Sequence, residues 1–255
     1  KWIMDIGDPF YLKKAAPENN NYIYSYLNKY IENKFYRTAN SVMFTHRESM
    51  QHHNNSFPVL ISKAIVLPPV FEAINKVPCE KFDFDKRPLK VAYFGVLTQG
   101  VRDPSQFLIY INKLNLDMEL HWYVNEDTKQ MVRNSSNKNI KNIFHNLVAR
   151  EEALSLMIEQ YHALISIGNK NPFQLPSKIV EYISTGKPII HFSEIENDPV
   201  EEVLNKRSNA IILCENSDLE RTKNEIKEKL FIQIDMTSVS SYSSKSVADK
   251  LEQII

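Results

Sequence analysis

Ala163-Leu-Ile-Ser-Ile-Gly168-Asn169-Lys-Asn-Pro-Phe-Gln174-Leu-Pro176-Ser177-Lys178-Ile-Val-Glu181-Tyr-Ile-Ser-Thr-Gly186-Lys-Pro188-Ile-Ile is the stretch whose reading decides the fold. Ala163–Ile167 is a run of apolar and small residues that suits a strand buried on both faces, and Gly168 ends it. The spacing then predicts a helix over Leu175–Thr185, closed by Gly186, and a second strand over Pro188–Phe192. Strand, helix and strand at this distance form the crossover unit of a parallel sheet. Working backward, the same alternation gives strands at Leu89–Gly95, Met118–Val124 and Ile140–Leu147. Helices follow each of them: one at Pro104–Leu114 with Asp103 as its cap, one near Glu126–Arg133 and one at Arg150–Gln160. Working forward, it gives a helix at Pro199–Asn205, a strand at Ala210–Cys214 and a charged helix at Asp218–Leu230. Six strands wound on both faces by helices make a doubly wound, Rossmann-like α/β domain.

The first 88 residues are less regular. A long helix with five tyrosines runs from Tyr22 to Ala39, followed by a strand at Ser41–Thr45, a short helix at Arg47–His53 and a strand at Ala64–Leu67. Pro78 to Pro88 carries charge and no periodicity, and reads as a linker. The expected organisation is therefore the end of one α/β domain in 1–77, a linker in 78–88, the Rossmann-like domain in 89–235 and a tail helix in 236–255. Lys1-Trp-Ile-Met-Asp-Ile-Gly7 opens as a strand, so the first domain is expected to be a remnant of a longer one.

Composition narrows the function. The 31 basic and 31 acidic residues balance to zero, which argues against nucleic acid held by the overall field of the protein. Cys79 and Cys214 are far apart and fit a reducing compartment, the cytoplasm, better than a disulfide scaffold. No apolar run approaches the roughly 18 residues of a spanning helix. Only five glycines are present, so each is expected to answer a backbone need.

In an open parallel sheet, ligands bind beyond the carboxyl ends of the strands where the strand order reverses. For the common order 3-2-1-4-5-6 that point lies between Leu89–Gly95 and Ala163–Ile167, each of which runs into a glycine. The second loop leads into a helix whose first turn carries Ser177 and Lys178, a hydroxyl and an ammonium beside unpaired amides, as a diphosphate needs. Glu181 lies one turn further on, where a carboxylate can accept from ribose hydroxyls. The alternative for these three is a helix cap and a solvated ion pair. Gly95-Val-Leu-Thr-Gln-Gly100-Val-Arg102 has the glycine spacing of a P-loop but Val-Arg where Lys-Ser/Thr must follow. There is also no Gly-x-Gly-x-x-Gly, so a Walker ATPase and a standard dinucleotide dehydrogenase are both disfavoured. Arg102 is either a second cation for the diphosphate or an ordinary surface arginine.

The run Val91-Ala-Tyr-Phe-Gly95…Arg102-Asp-Pro, together with Pro176-Ser-Lys-x-x-Glu181-Tyr-x-x-x-Gly186-Lys-Pro188, resembles the bacterial GT-B glycosyltransferases of the group-1 type, which build surface polysaccharides from nucleotide-sugars. The resemblance implies a two-domain GT-B fold: a C-terminal Rossmann-like, doubly wound parallel sheet plus the end of a second, acceptor-side α/β domain. It implies a donor set of Gly95, Arg102, Gly168, Asn169, Gln174, Pro176, Ser177, Lys178 and Glu181, with Glu181 on the donor ribose and Ser177, Lys178 and Arg102 around the diphosphate. Two positions depart from the family: Phe173 stands at the first glutamate of its Glu-x7-Glu spacing, and Val96 where an arginine often follows the first-loop glycine. The implied activity is sugar transfer from a nucleotide-sugar donor to a glycan or lipid-linked acceptor, with no metal and no cofactor. No nucleic acid is involved, and the site of action is the cytoplasm, with room for peripheral association at the inner face of a membrane. The family's catalytic base would lie upstream of Lys1, so no catalytic residue is assigned, and a fragment that binds donor without turning it over is anticipated. A nucleotide-sugar epimerase and a non-catalytic nucleotide-sugar-binding subunit are the alternatives.

Three other features are read as structural. Asp83-Phe-Asp85 resembles a metal-chelating pair but falls in the linker. His46, His52 and His53 lack further ligands for zinc and are expected on a plain surface helix. The tyrosines between Tyr22 and Tyr36 are expected to be packing residues rather than a sugar-stacking platform.

Overall fold

The computed structural model of the chain describes residues 1–7, 10–12, 21–70, 87–135, 140–232 and 242–253. Its contacts divide into two units, Lys1–Glu72 with Asn171–Leu175 and Ser240–Ile255, and Ala73–Lys170 with Pro176–Val239.

The first unit holds a three-stranded parallel sheet of β1 (Ile3–Ile6), β2 (Ser41–Phe44) and β3 (Ala64–Val66), in that spatial order. Helix α1 (Tyr22–Thr38) connects the first pair and α2 (Arg47–Ser56) the second. The core is small and aromatic. Tyr36, Phe44 and Phe57 are fully buried, and the rings of Tyr36 and Phe57 meet edge to face at 5.0 Å between centroids. His53 belongs to this core, its ring centroid 4.8 Å from that of Phe44. Its Nδ1 donates to the Ser49 carbonyl at 2.7 Å, while its Nε2 is buried with no hydrogen-bond partner among the described residues. Burial opposes the charged ring and lowers its pKa to about 4. The expected plain surface helix is thereby corrected: His46 and His53 both face inward, because α2 buries its i, i+4 pair Ser49 and His53 against the sheet.

Helix α1 brings a second correction. Of its five tyrosines only Tyr36 is buried; Tyr22, Tyr24, Tyr26 and Tyr30 are all exposed. The helix rests on its own unit along one narrow side, where Glu32 accepts from the Tyr36 hydroxyl at 2.6 Å and from the Tyr11 amide at 3.1 Å. The remaining tyrosines lie off that side.

The second unit is a six-stranded parallel sheet of β4 (Leu89–Phe94), β5 (Met118–Tyr123), β6 (Lys141–His145), β7 (Ala163–Ile167), β8 (Ile189–Phe192) and β9 (Ala210–Leu213). Their spatial order is β6-β5-β4-β7-β8-β9, the doubly wound order with its reversal between β4 and β7. The helices are α3 (Ser105–Leu114), α4 (Glu126–Ser135), α5 (Arg150–Glu159), α6 (Ser177–Ser184), α7 (Pro199–Leu204) and α8 (Leu219–Lys229). A final helix, α9 (Ser244–Glu252), groups with the first unit. The central strands are buried on both faces, β7 and β8 throughout, which is why they read as unbroken apolar runs. On β4, Val91 and Tyr93 join a core with Phe107, Leu108 and Ile111 of α3, while the alternate residue Phe94 points to the other face, its ring stacked on Tyr123 at 4.4 Å between centroids.

Helix α6 begins two residues later than its periodicity suggests. Pro176 is extended, at φ −60° and ψ 124°, and occupies the cap position with no side-chain cap bond. A proline disfavours the helical region for the residue before it, so Leu175 is kept outside. In α3, Pro104 takes the cap position and Asp103 still supplies the capping oxygen, accepting from the Ser105 amide at 2.9 Å.

Candidate functional site

The reversal of strand order puts the loop after β4 beside the end of β7, and the side chains there form one connected arrangement within the second unit. Gly95 has φ +135°, a conformation open to glycine. A Cβ at Gly95 would lie 3.7 Å from Lys178 Cγ and 3.8 Å from the Tyr93 hydroxyl, so the first loop and the first turn of α6 are direct neighbours. Tyr182, one turn deeper in α6, locks the pair from below: its hydroxyl accepts from the Phe94 amide at 2.8 Å and donates to the Phe94 carbonyl at 3.3 Å. Burial holds the Tyr182 phenol far above its usual range.

Arg102 is fixed from two sides. Its Nε and Nη2 both donate to Asn169 Oδ1, at 3.0 and 2.8 Å, and Nη1 reaches the Tyr93 hydroxyl at 3.4 Å. The Lys170 amide donates to the Val101 carbonyl at 2.7 Å, tying the two loops by their backbones. All the partners of this guanidinium are neutral. Among the described residues it makes no ion pair, so its orientation is fixed while its charge has no acidic partner there.

Lys178 and Glu181 form an i, i+3 ion pair at 2.5 Å, and Glu181 Oε1 lies 3.5 Å from Arg150 Nε. Both are partly exposed, with side-chain exposures of 35% and 18%. Ser177, at the first position of α6, is exposed, and the first-turn amides are free of any side-chain cap. Of the nine residues read from the sequence, Gly95, Arg102, Gly168, Asn169, Pro176, Ser177, Lys178 and Glu181 lie in this unit around the β4 and β7 ends. Gln174 groups with the first unit. So does Phe173, whose ring meets His52 edge to face at 4.8 Å. Asp83, Asp85 and Cys79 lie outside the described residues, and no group of three metal-ligating side chains occurs among the described ones.

Four residues that the sequence reading passed over complete the arrangement. Tyr93 supplies the hydroxyl behind Arg102. Under the β7 end, His191 sets Nδ1 3.1 Å from Ser166 Oγ and Nε2 3.1 Å from Asp198 Oδ2, and both His191 and Asp198 are fully buried. Asp198 also caps α7 by accepting from the Val200 amide at 2.8 Å. This cluster explains Gly168: a Cβ there would fall 2.0 Å from Asp198 Oδ2 and 3.3 Å from the Phe192 carbonyl. The serine, histidine and aspartate lie on separate elements, so only the glycine signalled them in the sequence. A cavity of about 450 Å³ lies elsewhere in the unit, beside β9 and α8, lined by Arg207, Arg221, Glu225 and Lys229 among others. It shares no residue with the nine read from the sequence.

The fold is of the GT-B type, with a Rossmann-like, doubly wound parallel sheet. Among solved structures, the lipopolysaccharide outer core galactosyltransferase WaaB in apo form is similar over 85% of this chain and 61% of its own, at 11% identity and a TM-score of 0.62. HepE of Anabaena, in complex with UDP and glucose, is similar over 98% of this chain and 70% of its own, at 13% identity and 0.66. The pneumococcal O-GlcNAc transferase GtfA, in complex with UDP and GlcNAc, is similar over 98% of this chain and 51% of its own, at 10% identity and 0.58. The chain thus spans less than two thirds of WaaB and about half of GtfA. No protein-family model and no curated protein matches the sequence.

Proposed function

We propose that the chain serves glycosyl transfer by holding a nucleotide-sugar donor, whose sugar passes to a glycan or lipid-linked acceptor without a bound metal. The observation that carries this reading is the uncompensated guanidinium of Arg102, held by Asn169 and Tyr93 beyond the end of β4. A cation fixed by neutral partners is poised for an anion, and in this sheet that point is where ligands bind. Lys178, whose stem lies beside Gly95, and the first-turn amides of α6, which have no side-chain cap, offer donors for a second phosphate. Glu181, one turn on, accepts from the ribose. Its ion pair with Lys178 holds the carboxylate against that turn.

In this reading catalysis comes from positioning and from stabilising the departing diphosphate, the charge that grows as the glycosidic bond breaks. The neighbours support the donor class, since HepE and GtfA are described with UDP and a sugar bound. The test is isothermal titration of UDP, GDP and ADP into the chain and its Glu181→Ala variant. One diphosphate should bind the unaltered chain and bind the variant roughly ten- to a hundredfold more weakly, the range of a charge-assisted hydrogen bond. Equal binding by both proteins, or by neither, contradicts the reading. Release of labelled sugar by a longer chain that includes the remainder of the fold separates a transferase from a binding subunit.

A further inference from the structure

The cavity of about 450 Å³ beside β9 and α8 is of a size that takes a small molecule. β9 is last in the spatial order of the six strands, so one of its edges has no strand beside it. The Ile189 amide donates to the Asn209 carbonyl and the Ser193 amide to the Leu213 carbonyl. In a parallel ladder the alternate residues Ala210 and Ile212 therefore turn their backbone groups to the free edge. Both residues line the cavity. The Ala210 carbonyl is taken there by Lys229 Nζ at 2.6 Å, while Ile212 presents an amide and a carbonyl.

The same cavity carries positive charge without matching acid. Arg207 is buried, and its guanidinium donates only to neutral acceptors: the carbonyls of Ile183 and Lys187, at 3.2 and 3.4 Å, and Asn209 Oδ1 at 3.4 Å. Its Nε is buried with no hydrogen-bond partner among the described residues, and burial pulls its pKa down to about 10. Arg221, also in the lining, is exposed, and its side chain makes no hydrogen bond or ion pair among the described residues. Lys229 is matched by Glu225, at 2.5 Å, and Asp218 uses one carboxylate oxygen to cap α8 through the Arg221 amide. Two guanidiniums are thus left against one carboxylate. A buried cation that lacks a counter-ion is costly, and an anion placed beside it offsets that cost.

We infer that the cavity beside β9 is a second binding site, for a small phosphorylated and hydroxyl-rich molecule of the sugar-phosphate class. The exposed fork of Arg221 bonds the phosphate, and Arg207 adds the field of a buried charge. The hydroxyls meet the Ile212 backbone, the amides of Asn205 and Asn216 and the carboxylate of Glu225, a lining that both donates and accepts. None of the described residues that line the cavity is aromatic, so a nucleobase finds no ring to stack on. That separates this ligand from the nucleotide-sugar proposed for the β4 and β7 ends.

The test is isothermal titration of fructose 6-phosphate, fructose and inorganic phosphate into the chain and three variants. Arg221→Glu alters the cavity, Arg102→Ala alters the β4 end, and Lys113→Glu makes the same charge change at an exposed lysine outside the lining. Arg221 lies in the first turn of α8, where an acid suits the helix, and thermal melting verifies that each variant folds. Fructose 6-phosphate should bind the unaltered chain, Arg102→Ala and Lys113→Glu alike, and Arg221→Glu at least tenfold more weakly. Fructose and inorganic phosphate should each bind the unaltered chain at least tenfold more weakly than fructose 6-phosphate. The inference is overturned if fructose 6-phosphate does not bind the unaltered chain, binds Arg221→Glu equally well, or is lost as much in Arg102→Ala or Lys113→Glu. Inorganic phosphate or fructose bound as tightly as fructose 6-phosphate overturns it too. UDP is not among the ligands, so this inference and the donor reading stand or fall separately.

Discussion

Helices α1 and α6 both present aromatic and aliphatic residues in a helical period, yet they use them in opposite ways. Five of the eight residues of α6 are buried, with Tyr182 stitched to both polar groups of the Phe94 backbone. Only two of the 17 residues of α1 are buried, and four of its tyrosines face outward. The difference teaches that periodicity announces a packing face without saying what packs against it. α6 lies over a six-stranded sheet whose central strands are apolar on both sides. α1 lies over three short strands, whose small core Tyr36 and Glu32 are enough to complete.

The largest effect that separates the regions should come from the cluster beneath β7. His191→Leu leaves Asp198 buried with only its capping bond, and should lower stability by about 3–5 kcal/mol in urea unfolding, the cost of breaking a buried pair. Gly168→Ala forces a Cβ against that same carboxylate and should cost about 2–3 kcal/mol. A neutral outcome for either would show that the β7 end is less tightly determined than its contacts indicate. Acidification reads the first unit. Because the folded pKa of His53 lies below its unfolded value of 6.5, at about 4, the unfolded state binds the proton first. The contribution is therefore fully present above pH 6.5 and is lost as pH falls from there toward 4, by about 2 kcal/mol at pH 5. Urea melts of the chain and of His53→Phe at pH 7 and pH 5 should show the variant with a smaller acid loss. The two helices themselves give the smallest and sharpest contrast. Tyr182→Phe removes the acceptor of a buried amide and should cost about 1–3 kcal/mol, whereas Tyr26→Phe should stay within about 0.5 kcal/mol of the original. Equal costs would dissolve the distinction between α1 and α6.

The six-stranded sheet was legible because its strands are apolar on both faces and its helices begin and end on proline, aspartate, asparagine and glycine, signals confined to a few neighbouring residues. The residues proposed for the donor stand out for the same reason: Ser177, Lys178 and Glu181 lie within about one turn of each other, and Gly95 marks the end of its strand. What was not legible depends on distance in the sequence. Arg102 meets Asn169, 67 residues further along the chain, only once β4 and β7 lie side by side. Ser166, His191 and Asp198 meet only once β7, β8 and α7 are in register. His53 looked like a surface residue because its helix is polar in composition, and its burial comes from the aromatic core that Tyr36, Phe44 and Phe57 build around it. The exposed tyrosines of α1 escaped for the converse reason, since nothing in a helical period tells how wide the supporting layer is.

The account rests most heavily on the unpaired charge of Arg102, and comparing UDP with uridine tests it most directly. Binding of both ligands is measured by titration for the chain and for Arg102→Ala, with thermal melting to confirm the fold. The account predicts that UDP affinity falls at least tenfold in the variant while any uridine affinity is unchanged, because the guanidinium serves only the phosphates. UDP binding that survives at full strength in Arg102→Ala, or a loss shared equally by uridine, would contradict it.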